Sequence, residues 1–174
     1  MPFDLQPTLR GELLELRPLR PDDWEALFRV AADPLIWEQH PDHDRWKEGV
    51  FRTFFQGALD SGGALIALDR ASGQVIGSSR YFGYDAEQSV VEIGWSFLAR
   101  AYWGGVYNGE MKRLMLEHAF RSVDRVHFLI GPENRRSQRA VEKIGGVRSG
   151  VIEVRGKEKV VYELTPAHYA GRPK

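Results

Sequence analysis

The chain has no cysteine. Disulfides, thiolate metal sites and cysteine nucleophiles are excluded together, and with them a small secreted domain stapled by disulfides. It also lacks a charge surplus, because 24 basic side chains face 24 acidic ones. Nucleic-acid binders usually carry a basic excess, so no nucleic-acid partner is expected. No segment approaches the roughly 18 consecutive apolar residues of a membrane helix. Residues 1–10 contain Asp4 and no apolar run of signal-peptide length. These features lead us to expect no membrane partner and a cytoplasmic location. Internal repeats and long Gly/Ser/Pro linkers are missing too, so residues 1–174 are expected to form one domain. Neither Gly-rich nucleotide fingerprint, GxGxxG or GxxxxGK[ST], occurs.

What is present is ordinary for a soluble globular chain: 43% hydrophobic and 28% charged residues in 174, enough to bury a real core. Leu14 and Leu16 alternate with Glu15 and Arg17 as a short strand ending at Pro18. Pro21-Asp22-Asp23 opens a helix carrying Trp24, Leu27, Phe28 and Ala31. The spacing of Trp46, Val50, Phe54 and Ala58 predicts a second helix over 44–59. Strands are expected at 64–68, 75–84 and 89–97. On the last, alternation puts Val91, Ile93, Trp95 and Phe97 on one face and Val90, Glu92, Gly94 and Ser96 on the other. A helix over about 105–121, a strand at 126–130 and a helix at 133–144 follow. A hairpin of 151–154 and 159–164 turns on Arg155-Gly156-Lys157. The order β-α-α-β-β-β-α-β-α-β-β predicts a mixed α/β (α+β) sheet with helices on both faces.

The chemistry concentrates after Phe97. A helix starting near Gly105 leaves its first N–H groups without intrahelical partners, at the positive end of its dipole. Gly104 and Gly105 remove the Cβ atoms that would hold a phosphate away. On local physics alone the pair reads either as an anion site or as a tight loop. His40-Pro41-Asp42-His43-Asp44 brings metal-ligand residue types together. It has no third distant ligand, and no metal is expected.

The run Glu92-Ile93-Gly94-Trp95, then Tyr102-Trp103-Gly104-Gly105-Val106-Tyr107-Asn108-Gly109-Glu110, resembles a conserved block of the GNAT acetyltransferases. Asn134-Arg135-Arg136-Ser137, then Ala140 and Glu142-Lys143-Ile144-Gly145, is similar to the family's N-x-x-S/A…E-K-x-G helix. Leu16-Arg17-Pro18-Leu19 and Val75-Ile76-Gly77 resemble its first and third strands. The likeness is strongest to the branch of the ribosomal-protein-alanine N-acetyltransferases. It implies a GNAT-type central, mostly antiparallel twisted sheet of about six to seven strands. It also implies acetyl transfer from acetyl-CoA, as cosubstrate, to an amine. The acceptor would be a small molecule or a protein N-terminus, and a homodimer is a further expectation.

Carried onto this chain, the resemblance places the pantetheine and thioester along Ile93, Gly94, Trp95 and Phe97, with Asn134 and Ser137 beside the arm. The pyrophosphate falls on the amides of Trp103, Gly104, Gly105, Val106, Tyr107 and Asn108. The family's loop pattern falls on 103–108, where Trp103, Val106 and Asn108 replace the usual residues; Val106 cannot adopt the positive φ open to glycine. Glu92 becomes the base that takes the amine proton, against the plainer reading of a glutamate on an open strand face. Many relatives carry a tyrosine acid on the last helix. Its position aligns with Val141, so Ser137, one turn earlier, is the remaining hydroxyl on a plausible face. Trp37, His40, His43, Arg80 and Tyr81 are expected to shape the acceptor side. A domain that binds acyl-CoA without turnover stays open as the rival reading.

Overall fold

Leu14 and Leu16 are both fully buried, as their alternation with charged neighbours requires, and they anchor strand β2 (Leu14–Pro18). The structure is a computed structural model that describes residues 2–172, so positions 1 and 173–174 of the expected domain lie outside the described residues. A two-residue strand, β1 (Leu9–Arg10), precedes β2. Then come helices α1 (Trp24–Ala31) and α2 (Glu48–Ser61), strands β3 (Ala64–Asp69), β4 (Val75–Asp85) and β5 (Val90–Leu98), and helix α3 (Val106–Ala119). Strand β6 (Arg125–Ile130), helix α4 (Arg135–Lys143), strands β7 (Val147–Val154) and β8 (Lys157–Leu164) and helix α5 (Pro166–Ala170) complete the chain.

The eight strands form one sheet in the order β1-β2-β3-β4-β5-β6-β8-β7. Every adjacent pair is antiparallel except β5 and β6. The mixed, mostly antiparallel sheet with helices on both faces is thus as expected, with eight strands rather than six or seven. One addition is β1, too short to carry an alternation signal. On one face α1 and α2 bury Leu27, Ala31, Phe51 and Phe55 against Ile66 and Phe97. On the other, α3 buries Met111, Met115 and Leu116 against Leu16, Leu65, Val91 and Ile93. Each of these leucine, isoleucine, valine, methionine and phenylalanine side chains contributes about 1.5–3 kcal/mol when withdrawn from water.

Two features of the sheet make the site. First, Ser78 pairs with Phe97 but Arg80 pairs with Gly94, so β5 holds one more residue than β4 between those points. This is a bulge, and Trp95 sits in it at φ +53°. The extra residue corrects the expected alternation. Val91 and Ile93 face α3, whereas Phe97 joins the aromatic cluster under α2. Second, β5 and β6 pair only at Val90–Arg125, Val91–Val126 and Glu92–His127. Beyond Glu92 the two strands part.

Helix α2 starts at Glu48, four residues later than the apolar spacing predicts. The side chain of Asp42 accepts Arg45 at 2.6 Å and Lys157 at 2.8 Å, which holds the preceding residues in turns. Helix α4 likewise starts at Arg135 because the Asn134 side chain accepts the Ser137 amide and caps it.

Candidate functional site

The parting of β5 and β6 leaves one edge of each without a strand neighbour, and a cavity of about 370 Å³ occupies the gap. Ile93, Gly94, Trp95, Ser96, Phe97 and Leu98 form one wall, and Phe128, Leu129 and Ile130 the other. Gly104, Gly105 and Asn108 close one end. Asn134, Arg136, Ser137, Ala140 and Val141 of the α4 segment lie along the side, and Trp37, His40 and Lys159 stand at the mouth.

The glycine loop is held firmly. The carboxylate of Asp69 accepts the hydroxyls of Tyr102 at 3.4 Å and Tyr107 at 3.1 Å, and Trp103 donates its indole N–H to the Leu98 carbonyl at 2.9 Å. Gly104 and Gly105 take φ of +120° and +99°. Gly105 is the N-cap of α3, and no side chain caps this end. The first intrahelical bond runs from the Gly109 amide to the Gly105 carbonyl, so the amides just before it are available to an anion. A Cβ at either glycine would meet nothing within 4 Å, which leaves the approach open. The positive φ values fall on the two glycines, and Val106 is the first helical residue. Its β-branch is therefore not in conflict with the loop.

Ionisable groups stand in the walls and just beside them, Glu92 and Arg80 lying next to the lining residues Ile93, Gly94 and Trp95 rather than in the lining itself. Glu92 lies on the α1/α2 side of the sheet, and burial pushes its carboxyl up to about 7 against the pull of Arg80 and Lys159. Such a carboxylate titrates in the range a general base requires. Arg80 lies on the same side, its guanidinium 4.3 Å from the Trp95 ring and 5.4 Å from that of Phe54. Burial, with Arg45 close by, lowers His40 to about 3, so its imidazole is neutral at ordinary pH. Its Nδ1 accepts the Asp42 amide at 2.9 Å. Asn134 spends its side-chain oxygen on the Ser137 amide at 3.3 Å, leaving its NH2 to meet a ligand.

Most of the residues singled out from sequence thus come together: Trp37, His40, Ile93, Gly94, Trp95, Phe97, Trp103, Gly104, Gly105, Asn108, Asn134 and Ser137 all line the cavity. Val106 and Tyr107 adjoin it through their backbone, while the Tyr107 hydroxyl turns away to Asp69. His43 lies apart, on a shallower depression with Glu38, Lys157 and Glu158. Tyr81 is a correction. It is 0% exposed on the α3 side, donating its hydroxyl to the Met115 carbonyl at 2.5 Å, so it does not line the acceptor side. Strand alternation against Arg80 already carried that signal. Among the described residues no three His, Asp or Glu side chains gather as a metal site.

Two residues, Lys112 and Lys159, escaped the sequence reading, whereas Arg136 stood in it as part of the α4 motif. Lys112, 5% exposed, projects from α3 into the cavity wall, donates to the Ser96 hydroxyl at 2.5 Å and is lowered to about 7 by burial. Arg136 lays its guanidinium 4.0 Å from the Trp103 ring and donates to the Ile36 carbonyl at 3.1 Å, joining α4, the glycine loop and the segment that follows α1. Lys159 reaches the mouth from β8. Hydropathy reads both lysines simply as surface cations; only the strand gap shows otherwise.

Comparison with known proteins bears on family and fold. Residues 14–147 match the family described as the acetyltransferase (GNAT) domain. A Bacillus subtilis protein, the uncharacterized protein YkkB, is 38% identical over 101 residues, 56% of this chain and 58% of that one. The match therefore spans less than two thirds of that relative. A GCN5-related N-acetyltransferase from Brucella melitensis superposes with a TM-score of 0.83 at 19% identity, over 95% of this chain and 81% of its own. RimJ of Mycobacterium smegmatis, in complex with CoA-disulfide, superposes with a TM-score of 0.67 at 19% identity, over 96% of this chain and 90% of its own. Those two likenesses are of fold, whereas the domain match covers most of the chain. The chain belongs to the GNAT acetyltransferase family.

Proposed function

We propose that the protein transfers the acetyl group of acetyl-CoA to a primary amine by direct attack on the thioester. The observation that carries this reading is the gap between β5 and β6, with an uncapped helix N-terminus at one end and Glu92 near the point where the strands part. A long ligand with an anionic end fits such a groove. The amides at the start of α3 would take its pyrophosphate, the free edges of Gly94–Leu98 its amide-rich arm, and the Asn134 NH2 a carbonyl.

On this reading each group has a part in the chemistry. Glu92, ionised above about pH 7, removes a proton from the incoming ammonium, directly or through water. Unpaired backbone N–H of the bulged strand stabilises charge developing on the carbonyl oxygen. Ser137 offers a hydroxyl to the departing sulfur, in a wall where Val141 has no proton to give. That Val141 favours the second reading, a domain that holds acyl-CoA without turning it over.

Two measurements separate these readings. Acetyl-CoA should raise the melting temperature, because a ligand that binds only the native state stabilises it. Thiol release against an amine panel should then exceed the rate without amine. Binding without amine-dependent release would leave only the second reading.

A further inference from the structure

Charges on the Glu92 side of the cleft do not balance. Asp42 is already shared by Arg45 and Lys157. Among the described residues Arg80 has no such partner: it is 6% exposed, and its Nε is buried with no hydrogen-bond acceptor. Glu92 lies on the same side, two residues along β5 from the Gly94 that pairs with Arg80, but acts on it only through the field. Lys159 stands in the cavity wall nearby, and Arg45 packs 4.5 Å from Phe54 and 5.3 Å from Trp37. Among the described residues two cations without a salt bridge, Arg80 and Lys159, therefore act on one free carboxylate beside a set of aromatic rings, and that carboxylate is the proposed base. A buried N–H left without an acceptor is costly, and one cause is a ligand that supplies the acceptor.

We propose that the acceptor is an amine that also carries a carboxylate, which Arg80 receives while the amine meets Glu92. Arginine suits the task, since its planar fork matches a carboxylate and the Trp95 face holds that plane in position. Lys159 adds a second positive charge at the mouth. A polyamine or an aminoglycoside would bring further positive charge to a side that already has an excess. The carboxylate can belong to a free amino acid or to an acidic side chain near a peptide's N-terminus; the chemistry is shared. The inference rests on the acetyl-transfer reading above.

The test compares four acceptors with acetyl-CoA and the intact protein: leucine, leucinamide, a peptide amide with aspartate at its second position, and spermidine. A carboxylate-bearing acceptor should show kcat/KM about tenfold or more above leucinamide, as expected for a charge-assisted contact. Leucine against the aspartyl peptide tells which source is used. In Arg80→Met the preference should shrink to about twofold or less, and Arg80→Lys should restore part of it; retained stabilisation by coenzyme shows that the variants are folded. Lys159→Gln, at a partly exposed position, should weaken the preference in the same direction. Leucinamide or spermidine turned over as well as the acids would overturn the proposal. If no amine is acetylated, the transfer reading fails separately. Tryptophan fluorescence of the CoA-loaded protein titrated with leucine and leucinamide then decides: a response to the acid alone supports a carboxylate site beside Trp95, and equal responses or none overturn it.

Discussion

Glu92 and Lys112 approach the strand gap from opposite faces of the sheet, and burial moves both toward neutrality at about pH 7. Their consequences differ because one lies on the proposed acceptor side and the other under the proposed coenzyme groove. If Glu92 is the base, kcat/KM rises with pH through about 7 and levels off above it, since only the ionised carboxylate accepts a proton. Glu92→Gln should lower turnover by about 10²-fold or more and abolish that limb, with coenzyme affinity nearly unchanged. Thiol-release rates across the pH range, beside a coenzyme titration, check both parts; an unaltered rate would remove Glu92 from the chemistry. For Ser137 the expectation is smaller. Ser137→Ala should reduce kcat by about tenfold while the stabilisation by acetyl-CoA persists, because the residue's fixed bond to Asn134 is through its amide, not its hydroxyl. Rates equal to the parent protein would make Ser137 a bystander on the wall.

At the scale of elements, the loop before α3 shows what a sequence can and cannot say. The glycine pair, the helix after it and the strand before it are all legible, because φ, helix capping and alternation are local properties. The outcome for Val106 is not, since only the structure shows that Gly104 and Gly105 take both positive φ values and leave Val106 inside the helix. The bulge at Trp95 escaped for a related reason: one inserted residue reverses every later side chain, and nothing in Val90–Leu98 marks the insertion. Lys112 was hidden too, because its burial depends on β5 and β6 parting above α3, a long-range fact. Backbone geometry also makes a prediction. Gly105→Ala forces an alanine to φ near +99°, a strain of about 1 kcal/mol or more that shifts the adjoining amides. Acetyl-CoA should then bind about fivefold or more weakly, since an equal energy is lost from the loop. Val106→Gly, at a 68% exposed helical position, should leave the affinity within about threefold. Isothermal titration of both variants measures the contrast, and equal losses would deny that the two glycines shape the site.

Over the whole molecule the same two ionisable groups act as opposed levers on stability. Glu92 holds its proton up to about 7 in the folded chain, whereas its ordinary value is 4.5. Between those values the native state binds more protons than the unfolded one, so this group's contribution falls as pH rises. Lys112 releases its proton near 7 in the folded chain but keeps it to 10.5 when unfolded. Between those values the unfolded state binds more protons, so its contribution grows as pH rises. Together they produce a shallow minimum of stability around neutrality, just where the groove has both groups poised. Lys112→Met should remove the rising part and stabilise the protein at pH 7 and below, because a buried ammonium is exchanged for an apolar chain of similar length. The lost bond to Ser96 offsets part of this gain, and the Ser79 hydroxyl, 2.7 Å from that of Ser96, remains as its partner. A net gain of about 1 kcal/mol raises the melting temperature of a chain this size by roughly 2–4 °C. The measurement is the difference in melting temperature between variant and parent at a series of pH values, in which other titrating groups cancel. The difference should be positive near pH 6 and decline steadily toward pH 10; a difference independent of pH would mean that Lys112 keeps an ordinary pKa despite its burial.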